Sequence, residues 1–316
     1  MKNTKLAIVV PCYNEEEVLE ETSKRLLSVI DSLVKKSKIN TESFILFVND
    51  GSEDKTWEII ENIAKKNKKV KGLSFSRNFG HQNALFAGLM YSKNISDCVL
   101  SIDADLQQDE NAIENFLDKY DEGFEIVNGV RSNRDSDTIF KKTSATFFYK
   151  LMRFMGVEIT ENSADYRLVS SRVIEELSKF EEVNLFLRGL FPTLGFKTTT
   201  IEHEVRERFA GKSKYSLKKM LLFALDGITS FSVAPIRLIT LIGLFSMLFC
   251  LVMIVYILFV AIFTDTAVAG WASTVIPLYF LGSIQILSLG IIGEYVGRIY
   301  MESKHRPKYI IDKIIK

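Results

Sequence analysis

Two long uncharged runs near the C-terminus limit what this chain can fold into. Residues Leu238–Thr264 carry no charged side chain, Asp265 interrupts, and Thr266–Gly293 is again uncharged. Each run exceeds the ~20 residues that a helix needs to cross a hydrocarbon layer of ~30 Å. Two buried helices of a soluble core are the alternative, but such helices rarely run this long without a charge. The sequence therefore predicts a hairpin of two membrane spans.

Basic side chains indicate how this hairpin is oriented. Arg237 stands directly before the first run, whereas the loop of residues 265–271 has no Lys or Arg. The residues that follow the second run include Arg298, Lys304, His305, Arg306 and Lys308. By the positive-inside rule, both ends of the hairpin lie in the cytoplasm. The N-terminal segment lacks a signal-peptide core, so we expect a two-span protein of the inner or plasma membrane with its catalytic domain and both termini in the cytoplasm.

The first 237 residues have the composition of a soluble enzyme. Charge is balanced over the whole chain, with 40 basic and 39 acidic residues, so nucleic acid is not an expected partner. The three cysteines are dispersed and predict no disulfide framework. We expect a catalytic domain over residues 1–212, a connector over 213–234, the hairpin over 235–299 and a basic tail over 300–316. The connector mixes lysines with apolar residues at helical spacing, which predicts an amphipathic helix at the membrane surface or, alternatively, an ordinary domain-surface helix.

Short β-rich runs alternate with helical patterns in the catalytic domain. The predicted strands are Leu6–Val10, Phe44–Val48, Val70–Phe75, Val99–Ile102 and Glu125–Gly129. Asn14 and Glu17 have capping-box spacing and predict the start of the first helix. The alternation indicates an α/β, Rossmann-like fold with a mostly parallel sheet and helices on both faces. Ligands of such sheets bind beyond the carboxyl ends of the strands.

Oxygen-bearing side chains gather after the fourth predicted strand. Asp103, Asp105 and Gln107 alternate, so an extended backbone would place them on one side. Such ligands suit Mg²⁺ or Mn²⁺, which takes its remaining ligands from water and substrate phosphates. A G-x-G-x-x-G motif after the first strand and a P-loop motif are both absent, so neither a dinucleotide enzyme nor a P-loop NTPase is supported.

Six motifs in order resemble those of family 2 glycosyltransferases that act on polyprenyl phosphate. They are Ile8-Val-Val-Pro-Cys-Tyr-Asn-Glu-Glu, Val48-Asn-Asp-Gly-Ser, Ser76-Arg-Asn-Phe-Gly, Asp103-Ala-Asp-Leu-Gln, Asp165-Tyr-Arg-Leu and Gly211-Lys-Ser-Lys-Tyr. That group includes dolichol-phosphate mannose synthases and bactoprenol-phosphate glucosyltransferases, and the two C-terminal spans match the bactoprenol branch. The resemblance implies a GT-A-type catalytic domain and a membrane-anchored homo-oligomer.

The resemblance also implies roles for individual residues. The positions that hold the nucleotide base and ribose are Pro11, Tyr13, Glu15 and Asp50, with Asp103 closing the pocket. Asp105 and Gln107 match the Mg²⁺ or Mn²⁺ positions. Arg131 and Arg208 match phosphate-contacting positions, where Arg supplies bidentate donors, and Lys142 with Ser144 matches the acceptor-phosphate pair.

Asp165 stands where the family places its candidate base. A lipid phosphate has a second pKa of about 6 and is largely a dianion at neutral pH, so we expect Asp165 to orient Arg167, the acceptor or the sugar more than to remove a proton. A purely structural ion pair between Asp165 and Arg167 is the alternative. His81 could contact the sugar or cap a helix, and we favour the cap.

Together these features predict an enzyme that transfers a single hexose, with inversion, from a nucleotide sugar to a polyprenyl phosphate at the cytoplasmic face. UDP-glucose and undecaprenyl phosphate are the preferred substrates, and the product would be a lipid-linked sugar donor for modifying cell-envelope glycans. The alternatives are the same chemistry with UDP-N-acetylglucosamine, UDP-galactose or an aminopentose, or a catalytically silent membrane scaffold.

Overall fold

A computed structural model describes residues 3–132, 163–182, 186–204 and 271–316, together with residues 236, 239, 241–246, 248, 249, 252, 255 and 263. The strands are β1 Leu6–Cys12, β2 Phe44–Asn49, β3 Val70–Phe75, β4 Cys98–Ser101, β5 Ile126–Arg131, β6 Ser163–Ser170, β7 Thr198–His203 and β8 Ile311–Ile315. The helices are α1 Leu19–Lys35, α2 Thr56–Lys66, α3 His81–Ser92, α4 Ile113–Asp121, α5 Ser171–Leu177, α6 Leu187–Thr193 and α7 Trp271–Ser303, with a short 3₁₀ turn at Glu110–Ala112.

The eight strands form one sheet in the order β7-β5-β6-β4-β1-β2-β3-β8. Strands β4, β1, β2 and β3 are mutually parallel, and β5 is parallel to β7. Strand β6 runs antiparallel to both of its neighbours, β4 and β5, and β8 runs antiparallel to β3. The predicted α/β fold with a mostly parallel sheet is confirmed, and the five predicted strands correspond to β1–β5. Strands β6, β7 and β8 were not predicted.

The central strand β1 shows why helices cover both faces of the sheet. All seven of its residues are buried, as expected for a strand whose two faces both meet apolar side chains. Alternate residues pack to opposite sides: Ile8 lies in a cluster with Leu26 of α1 and Ile60 of α2, whereas Val9 packs in a cluster with Leu85 of α3. The fold therefore has two hydrophobic layers, one on each face of the sheet.

The first helix does not begin as predicted. Helix α1 starts at Leu19, and Asn14 has a positive φ of 53°. The Asn14 N–H donates to Ser52 Oγ at 3.0 Å, and its Oδ1 accepts the Glu53 N–H at 2.9 Å. The capping-box prediction is wrong because the Asn14 side chain binds the loop after β2 instead of the first turn of α1.

Among the described residues, one helix is long and apolar enough to cross a membrane. This is α7, whose qualifying segment is Phe280–Ser303. It overlaps the predicted second span but continues past Gly293 to include Glu294 and Arg298, which form an i,i+4 ion pair at 3.5 Å. The described positions between 236 and 263 are helical, and the predicted connector of residues 213–234 lies outside the described residues.

Candidate active site

The carboxyl edge of the parallel strands collects most of the predicted site residues. Pro11 is buried near the end of β1, and Tyr13 and Glu15 follow it directly. Asp50 follows β2, Asp103 lies two residues after the end of β4, and Arg131 is the exposed last residue of β5. The remaining predicted residues, Lys142, Ser144 and Arg208, lie outside the described residues.

The antiparallel strand β6 brings Asp165 to the same edge. Its register pairs Cys98 with Ser170 and Ser101 with Arg167, so the first residues of β6 lie beside the carboxyl end of β4. The Ser101 hydroxyl donates to the backbone carbonyl of Asp165 at 2.5 Å. A strand running in the opposite direction thus places a residue near its beginning at the edge where the parallel strands end.

Three side chains converge on the carboxylate of Asp165, which is only 6% exposed. Arg188 donates from Nε to Oδ1 at 3.1 Å and from Nη2 to Oδ2 at 3.2 Å. Gln82 Nε2 donates to Oδ2 at 3.1 Å, and His81 Nε2 lies 3.3 Å from the same oxygen. His81 Nε2 is also 3.9 Å from Asp103 Oδ1. We call Asp165, Arg188, Gln82 and His81 the Asp165 cluster.

The charges of the cluster stabilise one another. Burial by itself would raise the pKa of Asp165, but the Arg188 charge and the His81 hydrogen bond hold it well below its ordinary value. Burial lowers the pKa of His81, and the Asp165 hydrogen bond with the Asp103 charge outweighs burial, so the net shift is upward. At neutral pH the cluster therefore contains an ionised carboxylate that is saturated with donors.

Arg188 and Gln82 were missed by the sequence analysis, and two of its interpretations are corrected. The ion-pair partner of Asp165 is Arg188. Arg167 instead donates to the side chain of Asn128 and lies 4.3 Å from the ring centroid of Phe191. His81 does not cap α3, because it is the first residue of the helix and the N-cap is Gly80, which has no side chain to form a capping hydrogen bond. One sequence signal pointed to Arg188: it is the only charged residue in the otherwise uncharged segment 184–193.

In the loop after β4, the oxygen-bearing side chains of Asp103, Asp105 and Gln107 are partly exposed at alternate positions, as predicted, but the backbone there forms a turn. The residues between them are buried. Residues 104–105 form a turn and Leu106 has a φ of 58°, so the predicted extended backbone is wrong. Gln108 holds the turn, because its Oε1 accepts the Asp103 N–H at 2.9 Å and its Nε2 donates to Asp103 Oδ2 at 2.8 Å.

The chemistry of this loop fits a divalent cation that shares its ligands with a substrate. No group of three or more His, Cys, Asp or Glu side chains within the described ranges is placed to hold a metal ion. The available donors are two carboxylates and an amide, a set that leaves positions for phosphate oxygens. Burial raises the pKa of Asp103, and the neighbouring charges of Asp165 and Asp105 add to that effect against the opposing charge of His81. A cation would relieve this accumulation of negative charge.

The loop of residues 76–80 is fixed by residues that follow β2. Asp50, 3% exposed, accepts the Phe79 N–H at 2.7 Å and the Gly80 N–H at 2.9 Å. Gly51 has a φ of 64°, and a Cβ there would lie 2.2 Å from the backbone carbon of Arg77. Asp50 thus positions the neighbouring loop, and its contact with a nucleotide stays a prediction.

Comparison with known proteins identifies the family. The model of glycosyl transferase family 2 matches residues 7–178. The chain belongs to glycosyl transferase family 2. This confirms the resemblance drawn from the six motifs. The family match covers strands β1–β6 and helix α5, and therefore includes every described member of the Asp165 cluster except Arg188.

Several relatives match this chain over nearly its whole length, and two of the three described here carry more specific names than the family. The chain is 53% identical over 308 residues to the uncharacterized glycosyltransferase YkoT of Bacillus subtilis, covering 97% of this chain and 91% of that protein. It is 39% identical to the bactoprenol glucosyl transferase of Shigella phage SfV, covering 97% and 98%. It is 38% identical to the prophage bactoprenol glucosyl transferase homolog of Escherichia coli K12, covering 99% and 100%. Among solved structures, glucosyl-3-phosphoglycerate synthase from Mycobacterium tuberculosis with UDP covers 72% of this chain and 79% of its own, at 17% identity and a TM-score of 0.48.

Proposed function

We propose that this family 2 glycosyltransferase has a GT-A-type catalytic domain and transfers one hexose from a nucleotide sugar to a polyprenyl phosphate at the cytoplasmic membrane face, with inversion at the sugar carbon. UDP-glucose and undecaprenyl phosphate are the preferred pair. Two relatives of matching length, named bactoprenol glucosyl transferase or its homolog, support glucose and this carrier. The product is a lipid-linked glucose that serves as donor for modifying cell-envelope glycans.

The observation that carries the proposal is the buried Asp165 carboxylate beside the Asp103 loop. It places an anion with two partners, the Arg188 guanidinium and the His81 imidazole, against an acidic loop suited to a metal-bound diphosphate. Burying such charges is costly unless they are paired. A silent scaffold has no need for that arrangement, whereas sugar transfer between two phosphates does.

Asp165 acts in this scheme as an orienting group. Its oxygens already accept hydrogen bonds from three side chains, and its depressed pKa makes it a weak base. The acceptor needs little deprotonation, because a phosphate monoester with a second pKa of about 6 is mostly a dianion at neutral pH. Asp165 therefore fixes Arg188 and His81 at the point where the acceptor oxygen meets the sugar.

The costly step is departure of the nucleoside diphosphate, and the surrounding residues serve that step. Asp105 and Gln107 are the residues that would hold Mg²⁺ or Mn²⁺, and the ion would neutralise charge that develops on the leaving diphosphate. Arg131 ends β5 with an exposed side chain, and its guanidinium suits a phosphate with two parallel hydrogen bonds. Pro11, Tyr13 and Glu15 remain the proposed nucleotide-binding residues.

A membrane anchor fits this reaction because the acceptor's hydrocarbon tail stays in the bilayer. Helix α7 is long and apolar enough to span it, and the uncharged run before it supplies a second span in our proposal. Both ends of the hairpin and the catalytic domain are then cytoplasmic. Assembly into a membrane-anchored homo-oligomer remains part of the proposal.

Transfer by purified protein tests the function directly. The full chain in detergent or vesicles is offered radiolabelled UDP-glucose, UDP-N-acetylglucosamine, UDP-galactose and a UDP-aminopentose with undecaprenyl phosphate, and label is counted in the organic phase. We expect label from UDP-glucose, a requirement for Mg²⁺ or Mn²⁺, and none without the lipid phosphate. Label from another sugar would change the donor. Absence of transfer together with absence of metal-dependent nucleotide-sugar binding would favour the scaffold.

The role of Asp165 has its own test. With Asp165 as an orienting group, Asp165→Asn slows transfer, and the pH profile keeps one limb near the acceptor pKa of about 6. A general base would add a limb of its own to the wild-type profile, which the variant would lose. A wild-type limb that tracks Asp165, with no contribution from the lipid phosphate, would overturn the orienting role.

A further inference from the structure

The segment after α7 enters the sheet at the edge that carries the active site. Strand β8 is antiparallel to β3, and its first residue, Ile311, pairs with Phe75, the last residue of β3. The carboxyl end of β3 belongs to the edge where Asp50 and Asp103 also lie. Helix α7 ends at Ser303, eight residues before Ile311. Eight fully extended residues span at most about 29 Å, so Ser303 lies within that distance of Ile311. Ile311 lies at the carboxyl edge of the parallel strands, which we call the active edge.

Residues 308–310, which we call the strap, attach this segment to the catalytic domain just before β8 begins. The Tyr309 ring stacks on Phe75 with centroids 5.1 Å apart and planes 12° apart. Lys308 Nζ donates to the Phe180 carbonyl at 2.8 Å and lies 4.5 Å from the ring centroid of Phe86. The carbonyl of Ile310 accepts the Ser76 N–H at 3.1 Å.

The strap has four partners in the catalytic domain, and two of them, Ser76 and Phe86, belong to segments that lead into the active site. Ser76 opens the loop of residues 76–80, which Asp50 holds by two hydrogen bonds. Phe86 belongs to α3, whose first two residues are His81 and Gln82. Phe180 precedes α6, which carries Arg188. The strap therefore contacts α3, which carries His81 and Gln82, and the loop that leads into α3. None of the contacts described above is with a member of the Asp165 cluster itself.

Charges around Lys308 connect the same region to the end of the apolar helix. Burial lowers the pKa of the Lys308 ammonium, and the negative charges of Glu182 and of Glu302 oppose that effect. Glu302 belongs to the last turn of α7, and Glu182 lies in the segment that follows α5. The Lys308 ammonium group thus donates a hydrogen bond to the catalytic domain, and carboxylates of both α7 and the segment after α5 act on its charge.

We propose that Lys308 and Tyr309 are positioning residues that hold the active edge of the sheet at the cytoplasmic end of α7, where a polyprenyl phosphate confined to the bilayer can reach it. The inference rests on the proposed function. The physical basis is that a lipid phosphate explores only a thin layer at the membrane surface. A catalytic edge held within reach of that layer encounters the phosphate far more often than one whose distance and tilt vary.

The test compares two acceptors in the full chain. Wild type, Lys308→Met and Tyr309→Ala are assayed for kcat/KM with undecaprenyl phosphate in proteoliposomes and with a short-chain, water-soluble prenyl phosphate. Lys304→Met is the matched control, since Lys304 lies just after α7, outside the strap, and is also placed over an aromatic ring, that of Tyr300 in the last turns of α7, at 3.9 Å. We expect both strap variants to lose at least tenfold with the embedded acceptor and less than threefold with the soluble one, with the control unchanged.

Two results would overturn the proposal. An equal loss with both acceptors would show that the strap only shapes the active site, and no loss with either would show that it does nothing for transfer. Failure of the proposed function looks different, because wild type would then transfer sugar to neither acceptor from any donor.

A second measurement needs no activity. A fluorophore on Asn78→Cys, in the exposed loop at the active edge, is compared with one on Lys68→Cys, just before the start of β3 at the opposite edge. Cys250 is replaced by serine in both. Spin-labelled lipid headgroups in the vesicle should quench the first fluorophore more strongly, and Tyr309→Ala should remove that difference. Equal quenching of the two sites in wild type would refute the placement.

Discussion

Replacing Arg188 by methionine tests the electrostatic reasoning behind the Asp165 cluster. Methionine keeps an unbranched apolar chain and removes the guanidinium, so a carboxylate that is 6% exposed loses the cation that bonds both its oxygens. Removing one partner of a buried ion pair costs about 3–5 kcal/mol. Arg188 is itself 29% exposed, and Gln82 and His81 still reach the carboxylate. We therefore expect the free energy of unfolding to fall by about 3 kcal/mol, the lower end of that range.

The size of this loss should depend on pH in a definite direction. In wild type the pKa of Asp165 lies well below its ordinary value, so the ionised group stabilises the fold at every pH above the unfolded pKa of about 4. That stabilisation disappears as the pH falls toward the folded pKa. Arg188→Met lacks most of it at all pH values, so the difference between the two proteins is full at pH 7 and shrinks below about pH 4.

Urea unfolding of the full chain in detergent, followed by intrinsic fluorescence at pH 7 and at about pH 3, below the unfolded pKa of Asp165, measures this difference. Arg172→Met is the matched control, because Arg172 bonds Glu125 at 3.2 Å but is 75% exposed, and its loss should cost less than about 1 kcal/mol. The double variant Arg188→Met/Asp165→Asn should be more stable than Arg188→Met, since it no longer buries an unpaired charge. An Arg188→Met protein as stable as the control, or a double variant no better than the single one, would refute the reasoning.

Three further predictions concern the loops, the cation and the membrane hairpin. Gly51→Ala should lower the free energy of unfolding by at least about 2 kcal/mol, and with it Tm, because the new Cβ would meet the Arg77 backbone at 2.2 Å. Gly195 has a similar φ but open space around it, so Gly195→Ala should cost about 1 kcal/mol. Equal losses of stability in the two variants would contradict the steric argument. Asp105→Asn should keep the fold and lose transfer by orders of magnitude, as should EDTA on wild type, and full activity in EDTA would exclude the metal. Reporter fusions at Val268 should be extracytoplasmic and fusions after the last residue cytoplasmic; a cytoplasmic signal at Val268 would exclude the hairpin.

The first five strands could be predicted because each is a local signal. Their residues form short apolar runs bounded by turn residues, and burial on both faces keeps those runs continuous. Strands β6 and β8 gave no such signal. Strand β6 buries Asp165 and Arg167. Two charged residues in such a short segment favour a loop, and only the contacts that pair them in the fold explain why they are buried in a strand. All but one residue of β8 is exposed, and its pairing partner Phe75 is far away in the chain.

In the candidate site, too, residues with a local sequence signal could be predicted, and residues brought in by long-range packing could not. Residues that belong to short motifs, such as Asp103, Asp105 and Asp165, were identified from order and spacing. Arg188 and Gln82 reach Asp165 from 23 and 83 residues away, and only the packing of α3 and α6 brings them together. The two hydrogen bonds between Asp103 and Gln108 could not be predicted from the sequence either, because they depend on the turn at residues 104–105.

Pairing between β3 and β8 has a consequence for how the protein is made. The partners Phe75 and Ile311 are 236 residues apart in the chain, so at about 5–20 residues per second β3 leaves the ribosome roughly ten to fifty seconds before its partner strand. During that interval its outer edge is an unpaired template, and an apolar helix must be synthesised before the partner arrives. Completion of the sheet is thereby linked to completion of the apolar helix α7. In the proposed topology, a chain that stalled during membrane insertion would expose the unpaired side of β3 to the cytoplasm.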